Sequence, residues 1–313
     1  MLVKRGRALG VLAGAFVPSA ARAQSSDLTT LRVASTANDD VTSLIYGIQS
    51  GLFRSAGLDV QFQKANSGSA VAAAVAAGAL EIGKSSTIPL INAHARGIPF
   101  TTIAADSLHH DRRLESALVV ANGGPRTAKE LNGKLVSVAA LQDTTWLATR
   151  AWSDANGGNS ETIRFIEVPG SSVLSALEQG RIDAGTMSEP YITENVKSGK
   201  ARLLAAYLDA IAPNWYLSLY FTTIDFAQKN PLVIARFQRV LNQAAIYCNA
   251  HKSETIPMMA AVTGLDPALL SQVTRADFPT DLDAKYIQPV VTFAAKYKLI
   301  DKTFDARDML AHL

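Results

Sequence analysis

"GSSVLSALEQGRIDAGTMSEPY" occupies Gly170 to Tyr191. It reads as a helix closed by Gly180, then a short strand candidate, then an acidic residue beside a proline. An earlier stretch from Gly68, "GSAVAAAVAAGALEIGKSST", has the same grammar. At an offset of 102, Gly68, Ser69, Val71, Ala74, Gly78, Gly83 and Ser86 fall on Gly170, Ser171, Val173, Ala176, Gly180, Gly185 and Ser188. Glu81 falls on Asp183. One supersecondary unit is used twice, so the chain is built from two related halves.

Around each copy, strand and helix patterns alternate. In the first half, Leu31–Ser35, Asp59–Lys64, Leu80–Gly83 and Thr101–Ala105 predict strands, and Val41–Gln49, Ser69–Ala77 and Ile88–Ala95 predict helices. Ser69 is placed to N-cap its helix and Gly78 to end it. In the second half, Thr127 and Glu130 form a capping box for a short helix ending near Gly133. Strands are expected at Lys134–Val138, Ile163–Val168 and Ile182–Thr186, with helices at Thr145–Asp154, Ser171–Gln179 and Glu189–Lys197. Trp215–Thr223 is strongly apolar. Pro231–Leu313 is mostly helical, including Pro231–His251 and Asp283–Tyr297. This alternation predicts an α/β architecture with parallel sheets covered on both faces. In such sheets a ligand binds at the carboxyl edge of the strands. That edge falls at Lys84–Thr87 in the first half and at Thr186–Glu189 in the second.

The chain has 313 residues, 48% hydrophobic and 18% charged, enough for two domains. Its start is set apart. Lys4, Arg5 and Arg7 precede an apolar run, Ala8–Val17, and Ala21-Arg22-Ala23 is a small-x-small site. This pattern predicts a secretory leader cut after Ala23. Gly6 separates the two arginines, so the general secretion route is expected. The whole chain carries +3, and the leader carries four cations and no acid, which leaves −1. The basic balance therefore belongs to the leader and is no footprint for nucleic acid. Cys248, the single cysteine, has no partner for a disulfide within the chain.

Four predicted helix starts converge on the two edges: Ser35–Asp40, Ser67–Ser69, Gln142–Thr145 and Gly170–Ser172. Each offers backbone N–H groups and a positive dipole end, a setting for a polar or anionic ligand. The histidines, His94, His109, His110, His251 and His312, show no metal-ligand spacing, although His109-His110-Asp111 is adjacent. There is no P-loop, dinucleotide fingerprint or nucleophile elbow. No cofactor or metal is expected. Trp146 and Trp152 read as packing residues, with Trp146 near enough to a helix start to flank an organic ligand.

Tyr46–Phe62 (YGIQSGLFRSAGLDVQF), Ser67–Gly83, Lys129–Trp152 (KELNGKLVSVAALQDTTWLATRAW) and Leu177–Tyr191 (LEQGRIDAGTMSEPY) resemble the substrate-binding proteins of nitrate/sulfonate/taurine-class ABC importers. The resemblance covers Leu31 to about Tyr220. It implies a bilobal periplasmic-binding-protein fold of type II, with two parallel or mixed sheets flanked by helices. The first lobe would be 28–108 with 216–313, and the second 109–215. Hinges would lie near Ala105–Leu118 and Tyr207–Tyr220. The protein would be a periplasmic monomer that closes on a small anionic or polar organic ligand, of the sulfonate, nitrate-like anion, carboxylate or pyrimidine class, and delivers it to an inner-membrane ABC permease. By position, the pocket residues would be Asn38, Ser69, Ser86, Thr144, Thr145 and Glu189. Gln142-Asp143 stands where the family often has glycine-serine. Asp143 would repel a simple anion unless it turns away, so an organic ligand or one of different charge enters the set. Glu189 would either pair with a ligand donor or hold a hinge arginine or backbone N–H. Enzymes on this fold carry a cysteine-rich run or a first-lobe cysteine nucleophile, and neither is present. A role as a ligand sensor stays open.

Overall fold

The computed structural model describes residues 28–111 and 113–311; the expected leader lies outside them. The chain begins β1 (Thr29–Ser35), α1 (Thr42–Gln49), α2 (Leu52–Ser55), β2 (Leu58–Lys64), α3 (Gly68–Ala76), β3 (Ile82–Ser86), α4 (Thr87–Ala95) and β4 (Phe100–His110). It continues with β5 (Ser116–Val120), β6 (Leu135–Val138), α5 (Thr144–Ala155), β7 (Arg164–Glu167), α6 (Gly170–Glu178), β8 (Ala184–Ser188), α7 (Tyr191–Lys197) and β9 (Arg202–Ala205). The remainder is β10 (Asn214–Thr223), α8 (Ile224–Lys229), α9 (Pro231–Ala250), α10 (Ile256–Thr263), α11 (Pro267–Leu270) and α12 (Gln288–Lys296).

The strands form two five-stranded sheets, ordered β2-β1-β3-β10-β4 and β7-β6-β8-β5-β9. The orders are equivalent. In each, a central strand pairs in parallel with two neighbours, β1 with β2 and β3, and β6 with β7 and β8. In each, an antiparallel strand follows, β10 between β3 and β4, and β5 between β8 and β9. The sheets are therefore mixed, the second of the two forms that the resemblance implied, with the parallel pairs in the part where strand and helix alternate. β10 comes from beyond the second sheet and inserts between two strands of the first.

The repeat seen in the sequence holds in three dimensions. α1 and α5 begin 102 residues apart, and α3/α6 and β3/β8 match at both ends at that offset. The glycines explain why. Gly78 and Gly180 have φ of 71° and 65°, the left-handed region that closes a helix. In both copies the N–H of the following residue reaches back to the helix: Ala79 to Ala74 O and Arg181 to Ala176 O, each 2.9 Å. This turn uses up Leu80, so β3 starts at Ile82, two residues later than expected. Gly83 and Gly185 let a helix lie directly on a strand. A Cβ on Gly185 would sit 2.6 Å from Val173 Cγ1, and one on Gly83 2.7 Å from Val71 Cγ1.

Leu31, Val33, Leu44, Phe53, Tyr220 and Phe237 fill the α1/α9 side of the first sheet. Val119, Val173, Met187 and Ile192 fill the α6/α7 side of the second. Each such side chain contributes roughly 1.5–3 kcal/mol by leaving water. These cores hold the carboxyl edges of β1, β3, β6 and β8 in place. No described helix is long and apolar enough to cross a membrane.

Candidate functional site

The two carboxyl edges meet. Ser86, the last residue of β3, donates its hydroxyl to Asp143 Oδ1 at 3.2 Å and lies 3.4 Å from Oδ2. Asp143 is the extended N-cap of α5, and its Oδ1 accepts the Thr144 N–H at 2.6 Å and the Thr144 hydroxyl at 3.1 Å. Asp143 thus turns back onto its own helix start and also faces the other lobe. Burial pushes its carboxyl up from the ordinary value, against the bonds from Thr144 and Ser86. α5 begins one residue earlier than expected because Asp143, not Thr144, is the cap.

A second bridge lies nearby. Glu189 accepts the Thr193 N–H at 3.0 Å, the Thr193 hydroxyl at 2.8 Å and, from the C-terminal part of the chain, the Thr274 N–H at 3.2 Å. Its carboxylate caps α7, so that helix starts at Tyr191 and not at Glu189. Of the two roles open for Glu189, the contacts match the backbone N–H one.

The other expected residues are placed differently. Ser69 is not a cap; Ser67 is, accepting the Ala70 N–H at 3.2 Å, while Ser69 is the second residue of α3, exposed, 3.0 Å from the Ser67 hydroxyl. Asn38 is exposed at the start of a 3-10 turn before α1, where its side-chain amide lies beside Asp40 and Thr36. Thr145 accepts the Ala139 N–H at 3.1 Å and so closes the loop before α5. Ser86 and Thr144 therefore come together through Asp143. Asn38 and Ser69 make their contacts within the first lobe.

Several charged groups behind this edge were not singled out from the sequence. Lys84 is buried between Asp40 and Asp106, 3.2 Å from the latter. Ser218 donates to Asp106 Oδ2 at 2.7 Å. Arg275 donates to Asp39 Oδ1 at 2.6 Å, and the Ala276 N–H reaches Asp39 Oδ2 at 2.7 Å. The acids of the Ser35–Asp40 stretch were a visible signal; Arg275, 236 residues from Asp39, carried none. His109 has Nδ1 2.5 Å from Glu115 and Nε2 2.9 Å from Asp209, so both ring nitrogens are taken by carboxylates. Trp146 packs on Phe165 and under Arg150. Among the described residues no group of three His, Cys, Asp or Glu could hold a metal ion. The buried Cys248 thiol is pushed up to about 12 by burial. A surface hollow of about 480 Å³ at Leu282–Gln288 and Asp305–Leu310 holds charges already matched locally, Lys285 with Asp283 and Arg307 with Asp305.

Hydroxyls, backbone N–H groups and carboxylates at a two-lobed seam suit the holding of a small polar molecule. The fold agrees with solved structures. It resembles the periplasmic aliphatic sulphonate binding protein of Escherichia coli (TM-score 0.73, 19% identity, 90% of this chain and 97% of that one). It resembles the periplasmic nitrate-binding protein of Synechocystis PCC 6803 (TM-score 0.72, 14% identity, 90% and 85%). A Bacillus subtilis (strain 168) protein named for aliphatic sulfonate binding is 25% identical over 267 residues, 82% of this chain and 78% of that protein. The NMT1/THI5-like family pattern matches residues 38–255, and the chain belongs to that family, within the nitrate/sulfonate/taurine class of periplasmic binding proteins.

Proposed function

We propose that this chain is the extracytoplasmic solute-binding component of an ABC importer. It holds a small polar organic ligand between its lobes and presents the closed form to a membrane permease. The reading rests on the meeting of Ser86 and Asp143 across the seam at 3.2 Å. The first lobe would comprise 28–108 and 216–313, the second 109–215. The chain would bend near Ala105–Leu118 and Tyr207–Tyr220, where β4 and β10 pair and His110 opposes Asn214. Ser86 and Thr144 would touch the ligand, with Asn38 and Ser69 at the rim. Thr145 and Glu189 would hold the loop before α5 and the start of α7. The protein would act in the periplasm as a monomer after its leader is removed at Ala23, and without catalysis.

The test is small-angle scattering and calorimetric titration with alkanesulfonates, nitrate, carboxylates and pyrimidines. A binding ligand should compact the protein, because closure brings the lobes together. It should also stabilise the protein by mass action, about 2.7 kcal/mol at 100 times its dissociation constant, read as a higher melting temperature. A saturating ligand that leaves the radius of gyration unchanged overturns closure. Unchanged affinity in both Ser86→Ala and Thr144→Val places the site elsewhere.

A further inference from the structure

We infer that Asp143 sets the chemical class of the ligand: the seam takes a molecule that presents an N–H donor, such as an ammonium, amidinium or guanidinium group, and rejects a bare oxyanion at the start of α5. This rests on the binding-protein reading above.

Four observations carry it. An anion is drawn to a helix start by free N–H groups and the dipole. At α5 the first of those N–H groups is already taken, because Asp143 Oδ1 accepts the Thr144 N–H at 2.6 Å. A second anion there would meet the Asp143 carboxylate in a poorly solvated setting. Next, the partners of Asp143 are one backbone N–H and two hydroxyls, with no cation among them. A carboxylate has about four acceptor sites. Asp143 Oδ2 has only the 3.4 Å approach of Ser86. Capacity for a further donor remains, and burial raises the advantage of supplying one.

Then, the fold does not require an acid here. At the equivalent position in the first lobe Val41, the last residue of a 3-10 turn, precedes α1 with no side-chain cap bond, and the acids of that turn, Asp39 and Asp40, are held by Arg275 and Lys84. Where a cap alone is needed, serine or asparagine serves as well as aspartate. Lastly, the described cations near this edge are committed elsewhere. Lys84 is held by Asp40 and Asp106, Arg275 by Asp39, and Arg113 and Lys252 by Asp277. Ser86, the group that faces Asp143 across the seam, is itself a donor, the same kind of partner that the ligand would supply.

The experiment uses matched probes that differ only by an amine: ethanesulfonate and 2-aminoethanesulfonate, butyrate and 4-aminobutyrate, pyrimidine and 4-aminopyrimidine. Each is titrated into wild type and Asp143→Asn, which keeps a capping oxygen but removes the charge, with circular dichroism to confirm that the variant folds. The expected result is that amine-bearing members bind wild type at least tenfold more tightly than their partners, and that Asp143→Asn cuts the preference to under threefold. Amine-free anions binding wild type as well as their amino partners overturn the inference while leaving the binding-protein reading intact. A preference that persists in Asp143→Asn does the same. Silence of every probe with both proteins, without compaction, counts against both readings.

Discussion

Glu189 and Thr274 tie the second sheet to the C-terminal part of the chain: the carboxylate at the end of the repeated β8 segment accepts the Thr274 N–H at 3.2 Å while it caps α7 through Thr193. One side chain therefore serves a helix start and the seam. A hydrogen bond to a charged group contributes roughly 1.5–3 kcal/mol and a neutral one about 0.5–1.5. Glu189→Gln should cost the ligand-free protein about 1 kcal/mol and Glu189→Ala about 2 or more, read as a fall in melting temperature of roughly 2–4 °C per kcal/mol. An unchanged melting temperature in Glu189→Ala would show that neither bond forms in solution.

Gly185→Ala should destabilise by about 1–3 kcal/mol, the usual cost of overpacking a filled core. The added methyl would stand 2.6 Å from Val173 Cγ1. Denaturant melts of this variant and of Gly185→Ala with Val173→Ala should show partial rescue in the double variant. A neutral single variant would mean that α6 does not rest on β8 at this point.

Cys248 lies 1% exposed in α9, and burial pushes its thiol up to about 12. The thiolate is the reactive form. Native protein at pH 8 should therefore react with a disulfide reagent at least a hundredfold more slowly than denatured protein. Rapid native labelling would reopen a nucleophilic role for this residue.

Asp106 supplies a pH signature. Burial raises its carboxyl to about 6, with Lys84 opposing the shift. An acid raised above its unfolded value of about 3.9 binds its proton more tightly when folded. Its contribution therefore declines as pH rises from about 4 to 6 and is level above that. Paired surface acids such as Asp305, lowered by Arg307, act in the opposite sense. The comparison must be between variant and wild type. Asp106→Asn should gain on wild type by on the order of 1–3 kcal/mol between pH 4 and pH 7, measured by urea melts. A constant difference across that range would show that Asp106 ionises as if solvated.

The repeat was legible in the sequence because its determinants are local. A glycine in the left-handed region ends a helix wherever it stands, and the spacing of Val71 and Val173 from their glycines sets which face packs. The offset of 102 carried over to α3, α6, β3 and β8 without shift. The fold family was likewise readable, since its motifs are runs of neighbouring residues. Local chemistry was ambiguous where two equivalent groups lay close together. Ser67 and Ser69 are both able to cap, and only the backbone at Ser67, extended at φ −158° and ψ 158°, decided between them.

Tertiary structure alone decided what joins distant parts of the chain. β10 enters the first sheet from more than 100 residues beyond β4, and no periodicity in Trp215–Thr223 names its neighbours. Arg275 with Asp39, Thr274 with Glu189 and Ser86 with Asp143 are pairs separated by 236, 85 and 57 residues. Each partner alone reads as an ordinary polar residue. Their meaning comes from the distance between them, which is set by how two cores pack and where the chain crosses. That is why the two sheet edges could be located from sequence, while the direction of the Asp143 carboxylate, and with it the charge of the seam, could not.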